Sequence, residues 1–307
     1  MRLPPAGCTD LTITVNALQT LQNLFTLSFV VTSMLGMGLS LSVSQILQPL
    51  RNTRLVILSL VVNFVVVPAV AFTLSRVIHL DQEVQIGLLL IGTAAGAPFL
   101  PKLAQIAKAD VAFAVGLMTI LMLVTIVYLP VVLPLLLPGI EVAALQIALS
   151  LLVTMLLPLV VGLLVRARYE GVARALQPVM AQISTVSLAL LLVLMLALNF
   201  QNVLALFGTG AVAATLLFVV VSVLAGYVLG GPGVNTRRVL ALGTGQRNLS
   251  AAFIIATGNF GDKPDVLVFV AAAGLLGLVL LFPTVGEFGK RVEVAHEKGR
   301  TATSGQS

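Results

Sequence analysis

The chain has 307 residues, 59% of them hydrophobic and 9% charged, whereas roughly a quarter of a soluble globular domain is charged. That balance excludes a water-soluble domain and places the chain in lipid. Its net charge of +6 would suit a nucleic-acid binder, but the basic residues are scattered between apolar runs instead of gathering on one face, which speaks for membrane orientation and against nucleic acid.

No charge interrupts the sequence between Asp10 and Arg51, or between Arg174 and Arg237, and each run exceeds the roughly 20 residues that cross a bilayer. Taken in order, charges and turn residues divide the chain into apolar spans at 24–43, 55–76, 83–108, 110–137, 142–165, 177–198, 203–229, 238–261 and 265–286. The sequence therefore predicts an all-α integral membrane protein with nine transmembrane helices. The breaks fall at Arg51-Asn-Thr-Arg54, His79-Leu-Asp81, Pro138-Gly139, Arg166-Ala-Arg168, the polar stretch Asn199 to Asn202, Gly230 to Arg238, and Gly261 to Pro264. An extracytoplasmic segment, 1–22, is expected ahead of one transmembrane domain, 23–288, and a polar, disordered cytoplasmic tail, 289–307, after it. Cys8 is the only cysteine, which removes disulfides and thiolate metal clusters from consideration. The PPAG before it resembles the end of a lipoprotein signal, but Met1 to Gly7 are too few for the apolar run such a signal needs.

Lysine and arginine gather on the cytoplasmic side of membrane proteins. Alternate loops carry twelve basic residues on one side, from Arg51 and Arg54 to Lys298 and Arg300, and three on the other, Arg2, Arg76 and Lys263. The amino terminus is expected outside and the carboxyl terminus in the cytoplasm, in the plasma or inner membrane of the cell. Lys102 and Arg247 fall inside predicted crossings.

Two crossings contain breakers. GTAAGAPFLPK (92–102) places Gly92, Gly96, Pro98 and Pro101 in the third span, and GTGQRN (243–248) places Gly243 and Gly245 beside Thr244, Gln246, Arg247 and Asn248 in the eighth. Each proline removes a backbone donor and clashes with the turn before it, so both helices are expected to be discontinuous. Backbone freed in hydrocarbon survives only where protein or a water-filled cavity supplies partners. The third span runs inward and the eighth outward, and similar elements of opposite topology mark an inverted-repeat transporter with its site near the midplane.

Arg247 lies nine residues beyond Arg238, roughly 14 Å into a core about 30 Å thick. An arginine at that depth faces the bundle interior or water. Two roles are open to it: handling substrate or ion, or binding the freed carbonyls of the neighbouring broken helix. Lys102 either belongs to the site or snorkels toward the cytoplasm. Asn63, in LVVNFVVVPAV, is either a site residue or an ordinary helix-to-helix hydrogen bond, and Pro68 below it is expected to kink the span. Thr93, Thr119 and Thr125 are expected to bond back to their own helices. His79 and His296 sit in a loop and the tail, no two carboxylates share a span, and no phosphate-binding loop is present. The sequence thus points away from an enzyme.

At these positions the chain resembles the bile acid:sodium symporter family over most of its length. MGLSLSVSQI (37–46), VVNFVVVPAVAF (61–72), AKADVAFAVGLM (107–118) and LGTGQRNLSAAF (242–253) carry the likeness. The resemblance implies a panel domain and a core domain, with two discontinuous helices crossing in the core where sodium binds. It also implies one sodium held at positions that here read Leu100, Pro101, Ala114, Met118 and Gly243. A second would lie near Asn63 and Arg247, which stand at the family's two glutamines, with Thr244 and Gln246 supplying carbonyls. Sodium needs hard oxygen ligands, and most of these positions lack them.

The reading is a secondary transporter of small organic anions, working by alternating access, in which Arg247 and Lys102 take the place of bound cations. The expected substrate- or ion-binding set is Asn63, Gly96, Pro98, Pro101, Lys102, Thr244, Gln246, Arg247 and Asn248. No cofactor is expected; sodium stays open as an alternative, with residual contacts at Asn63, Thr244 and Gln246. The expected partners are a small organic anion and the lipid bilayer. A conventional sodium-coupled symporter, a channel, or a membrane sensor that binds without transporting are the other readings of this fold.

Overall fold

In hydrocarbon the backbone must satisfy its own hydrogen bonds, so long apolar runs fold as helices. The computed structural model describes residues 6–42, 44, 52–138, 143–206 and 208–304, and every regular element among them is helical. Arg51 and Gly139, each part of an expected break, lie outside the described residues.

We number the helices α1 (Ala6–Ser40), α2 (Thr53–Val77), α3 (Gln82–Thr93), α4 (Leu100–Ile106), α5 (Val111–Leu136), α6 (Ala144–Arg168), α7 (Glu170–Leu198), α8 (Phe200–Ala205), α9 (Ala211–Leu229), α10 (Val234–Gly245), α11 (Leu249–Asn259) and α12 (Pro264–Ser304). Among the described residues seven of these are long and apolar enough to span a membrane: α1, α2, α5, α6, α7, α9 and α12. The third and eighth predicted spans are instead the pairs α3/α4 and α10/α11, each divided by non-helical residues.

Helix extends into the segments at both ends of the chain. α1 is already helical from Ala6, within the segment expected to precede the membrane domain. α12 continues to Ser304 through the polar stretch expected to be irregular. Glu287 and Arg291, one turn apart on it, pair at 2.7 Å, the spacing that supports a solvated helix. The polar stretch after α7 gives a bend at Asn199 and the short α8, so α9 begins at Ala211 and not near 203.

Helices α1, α6 and α7 pack together, and α2 to α5 with α9 to α12 form a second group. Glycine permits the closest approach in the first group. A Cβ on Gly38 of α1 would lie 2.9 Å from Gly162 Cα of α6, and the converse holds for Gly162. This is the small-residue crossing that membrane helices favour.

The expected kink at Pro68 takes a particular form. α2 contains a π-turn at Val62–Val66 just ahead of Pro68, and α6 repeats it at Leu152–Leu156 ahead of Pro158. Pro68 has no N–H to give Phe64, four residues back, and the Phe64 carbonyl is taken by the Tyr128 hydroxyl of α5 at 2.6 Å.

Candidate functional site

The first interruption occupies Ala94 to Phe99. Gly96 adopts φ +80, a conformation that glycine supplies without strain, and a Cβ there would lie 2.7 Å from Met122 Cα on α5. The freed backbone of Ala95 is satisfied by one side chain: Thr125 Oγ1 donates to its carbonyl at 3.0 Å and accepts from its N–H at 3.1 Å. Thr93 and Thr119 bond back to Leu89 and Val115 as expected. Thr125 does not, because the unwound backbone opposite offers both a donor and an acceptor.

The second interruption begins at Gln246, whose backbone is extended, and ends where Asn248 caps α11 by accepting from the Ala251 N–H at 3.2 Å. The two interruptions touch directly, the Asn248 N–H donating to the Ala94 carbonyl at 2.9 Å.

Arg247 sits at this crossing, 6% exposed. Its Nε donates to Ile91 O at 3.0 Å, its Nη2 to Gly92 O at 2.7 Å, and its Nη1 to Asn63 Oδ1 at 2.8 Å, with a longer reach of 3.5 Å to Thr244 O. Ile91 and Gly92 are in the last turn of α3, where helix carbonyls lack intrahelical donors and the dipole favours a cation. The guanidinium is therefore bound to the freed carbonyls of the neighbouring broken helix, one of the two roles open to it from sequence. Asn63, fully buried within the π-turn of α2, completes the arrangement by donating its Nδ2 to Ser59 O at 3.0 Å.

Beside the crossing lies a cavity of about 620 Å³ between the two helix groups. Of the nine residues expected at the site, Pro98, Pro101, Lys102, Gln246 and Arg247 line it. Asn63, Gly96, Thr244 and Asn248 stand behind it as framework: Thr244 Oγ1, for example, is held by Ser222 O at 2.7 Å, pinning α10 to α9. Lys102 and Arg247 supply all the charge on the described lining, which contains no aspartate or glutamate. Lys102 is exposed and bonds Gln105 Oε1 at 3.3 Å. Gln246 Oε1 and Ser250 Oγ, both on lining residues, are buried without a protein partner.

The sequence names Thr125 only as a back-bonded threonine, which its bonds to Ala95 correct, and does not point to Tyr128 or to the hydroxyl residues Thr32, Ser40 and Thr185 that α1 and α7 contribute to the opposite wall. Pro68 was the available signal for Tyr128, since it leaves an acceptor in need of a donor.

Residues 7–206 match the Sodium Bile acid symporter family. The chain belongs to that family. Its long apolar helices are those of an integral membrane protein, and the matched stretch takes in Asn63, the first interruption and Lys102, with α10 and α11 lying beyond it. A segment of 87 residues is 31% identical to the "Uncharacterized sodium-dependent transporter YocS" of Bacillus subtilis (strain 168), covering 28% of this chain and 27% of that protein.

Of the residues that the resemblance assigns to a sodium ion, Asn63 and Thr244 face the guanidinium of Arg247 with Oδ1 and O, while Gln246 Oε1 is without a protein partner among the described residues. At Gly243, one of the positions that the resemblance assigns to sodium, there is no side chain, and a Cβ would lie 3.1 Å from the Leu100 side chain. Among the described residues no group of three or more histidine, cysteine or acidic side chains is placed to hold a metal.

Proposed function

We propose that this transporter carries small organic anions by alternating access and that its fixed cation, Arg247, stands where a coupling ion would otherwise be needed. The observation that carries the reading is the cavity lining, in which Lys102 and Arg247 are the charged residues and carboxylates are absent among the described residues. A cavity with low-dielectric walls and one sign of charge concentrates the opposite sign, so an anion is the ligand such a lining attracts.

In this reading the chain crosses the membrane nine times, the pairs α3/α4 and α10/α11 each counting as one discontinuous crossing of an inverted repeat. α1, α6 and α7 act as a panel against a core of the remaining helices. The basic loops place the amino terminus outside and the carboxyl terminus in the cytoplasm. The cavity then opens inward, because its lining draws on the later half of α1, the earlier half of α7 and α4. Rocking the core against the panel would expose the crossing to the other side.

Arginine keeps its proton throughout the physiological range. A tethered charge cannot be released at the end of a cycle, so an imposed sodium gradient would not drive uptake, in contrast to what the relative's name says of that protein. The test is uptake into proteoliposomes over a panel of carboxylates and sulfonates, with sodium, potassium and proton gradients imposed one at a time. Saturable anion uptake indifferent to sodium is the expected result; steep sodium dependence would restore conventional symport. Unitary currents would mark a channel, and binding without flux a sensor.

A further inference from the structure

A second group of basic side chains lies outside the cavity, where α9, α10 and α12 come together. Arg238, one turn into α10, is 7% exposed, and its guanidinium lies over the Phe288 ring of α12, 5.8 Å from the centroid. Tyr227 of α9 stacks on the same ring at 5.9 Å and 26°. An aromatic ring attracts a guanidinium through its face, but the five N–H donors point outward in the guanidinium's own plane. Arg237, the residue before it, donates its Nε to Gly231 O at 2.6 Å; Arg238 has no hydrogen-bond acceptor among the described residues. The side-chain atoms fully enclosed without a partner belong to Ser222, Gln246, Asn248 and Ser250, so the Arg238 donors emerge at the surface. That surface is the edge of the bilayer. Tyr227 is in the last turn of the spanning helix α9, which ends at Leu229, and the apolar stretch of α12 ends at Arg291, one turn past Phe288. Exposed Lys290 and Arg291 follow the ring, and the Glu287 carboxylate beside them is taken by Arg291 at 2.7 Å.

We propose that Arg238 binds the phosphate of an anionic lipid headgroup, with Phe288 and Tyr227 fixing the plane of the guanidinium. A planar fork of donors pairs with two phosphate oxygens at once, which supplies the acceptors that this buried arginine lacks. The lipid's acyl chains have a place to lie: Leu224 and Val228 of α9 are exposed and share a helix face with Tyr227. A zwitterionic headgroup carries the same phosphate but brings an ammonium group among Arg237, Arg238, Lys290 and Arg291, so the preferred lipid is net negative. Once bound, the phosphate ties α10, the helix that leads into the second interruption, to α12.

The experiment uses the purified full-length chain in a neutral detergent and follows Tm against added lipid, because a ligand of the folded state raises Tm by an amount set by its concentration relative to Kd. Phosphatidylglycerol is expected to bind about tenfold tighter than phosphatidylcholine with the same acyl chains. In Arg238→Gln that ratio falls toward one. Arg238→Lys keeps the charge without the fork and serves should the glutamine variant fold poorly; there the ratio falls to about threefold. Arg168→Gln removes the same charge from an exposed position on α6 and leaves the ratio at its parent value. Equal affinity of the parent for the two lipids, a ratio unmoved in both Arg238 variants, or an equal fall in Arg168→Gln overturns the site. Inorganic phosphate or glycerol phosphate raising Tm at the same concentrations as phosphatidylglycerol overturns the lipid as the source of the phosphate.

Discussion

Arg247 Nη1 and Asn63 Oδ1 meet at 2.8 Å across 184 positions of sequence. The bond joins the second interruption to the π-turn of α2, and the same guanidinium reaches Ile91 O and Gly92 O in α3. Replacing Arg247 with alanine leaves three buried acceptors without this donor, each worth about 1–3 kcal/mol if unmet. The purified Arg247→Ala protein is expected to lose roughly 3 kcal/mol or more of stability, read as a lower Tm, together with uptake. Ethylguanidinium at millimolar concentration should recover part of both. Arg247→Lys, a point charge without the planar fork, should fall between the two. Rescue by sodium in place of guanidinium would mean that the vacated oxygens accept a free alkali ion.

Thr125 and Thr119 lie on the same helix with opposite duties. Thr125 holds both backbone groups of Ala95 in the first interruption, whereas Thr119 bonds only its own helix at Val115 O. Thr125→Val is expected to cost about 1–3 kcal/mol by orphaning a buried donor and acceptor, and to slow uptake. Thr119→Val should change Tm little, because the Val115 carbonyl keeps its regular helical bond. Equal effects from the two substitutions would remove Thr125 from its role as the latch of the break.

The breaks themselves were legible because their residues advertise them. Pro98 and Pro101 cannot continue a helix, and Gly243 to Asn248 gathers polar groups where lipid would forbid them. That Arg247 faces the bundle interior was legible from its place inside an apolar span, and it is buried. That freed carbonyls of the neighbouring broken helix could bind it was also legible, but not which ones, since Ile91 and Gly92 offer only backbone carbonyls and carbonyls are the same in every residue. Thr125 looked like any back-bonded threonine in an apolar helix; only the crossing of α5 behind Gly96 distinguishes it from Thr119.

Tyr128 and Pro68 are coupled through Phe64. With proline at 68 the Phe64 carbonyl depends on the Tyr128 hydroxyl, and an alanine there would restore a backbone donor. Tyr128→Phe is expected to cost about 1–2 kcal/mol in the natural sequence and appreciably less in a Pro68→Ala background. A double-mutant cycle read by thermal unfolding measures the coupling, and strict additivity would show that the π-turn satisfies Phe64 by another route.

Gly38 and Gly162 should tolerate no side chain. A Cβ on either lies 2.9 Å from the other's Cα, and backbone cannot move aside as a flexible side chain can. Gly38→Ala or Gly162→Ala is expected to cost about 1–3 kcal/mol through overpacking. Gly171, with nothing within 4 Å of its notional Cβ, provides the control: Gly171→Ala should be neutral or stabilising by about 0.5–1 kcal/mol, the usual advantage of alanine in a helix.

Lys102 and Arg247 share the cavity but differ in what they have left to offer. Most of the guanidinium's donors are committed to Asn63, Ile91, Gly92 and Thr244, while the exposed Lys102 ammonium has one partner, Gln105. A substrate carboxylate entering the cavity should therefore pair with Lys102 and sense Arg247 mainly through its field. Lys102→Gln is expected to leave stability within about 0.5 kcal/mol of the parent, as for most exposed substitutions, and to raise KM for anion uptake about tenfold. Raising the salt concentration should weaken uptake by the parent protein more than by the variant, because the partly exposed charge is the one that ions screen. A KM unchanged by Lys102→Gln, with uptake still abolished by Arg247→Ala, would transfer the carboxylate to the one N–H of Arg247 that the protein leaves uncommitted.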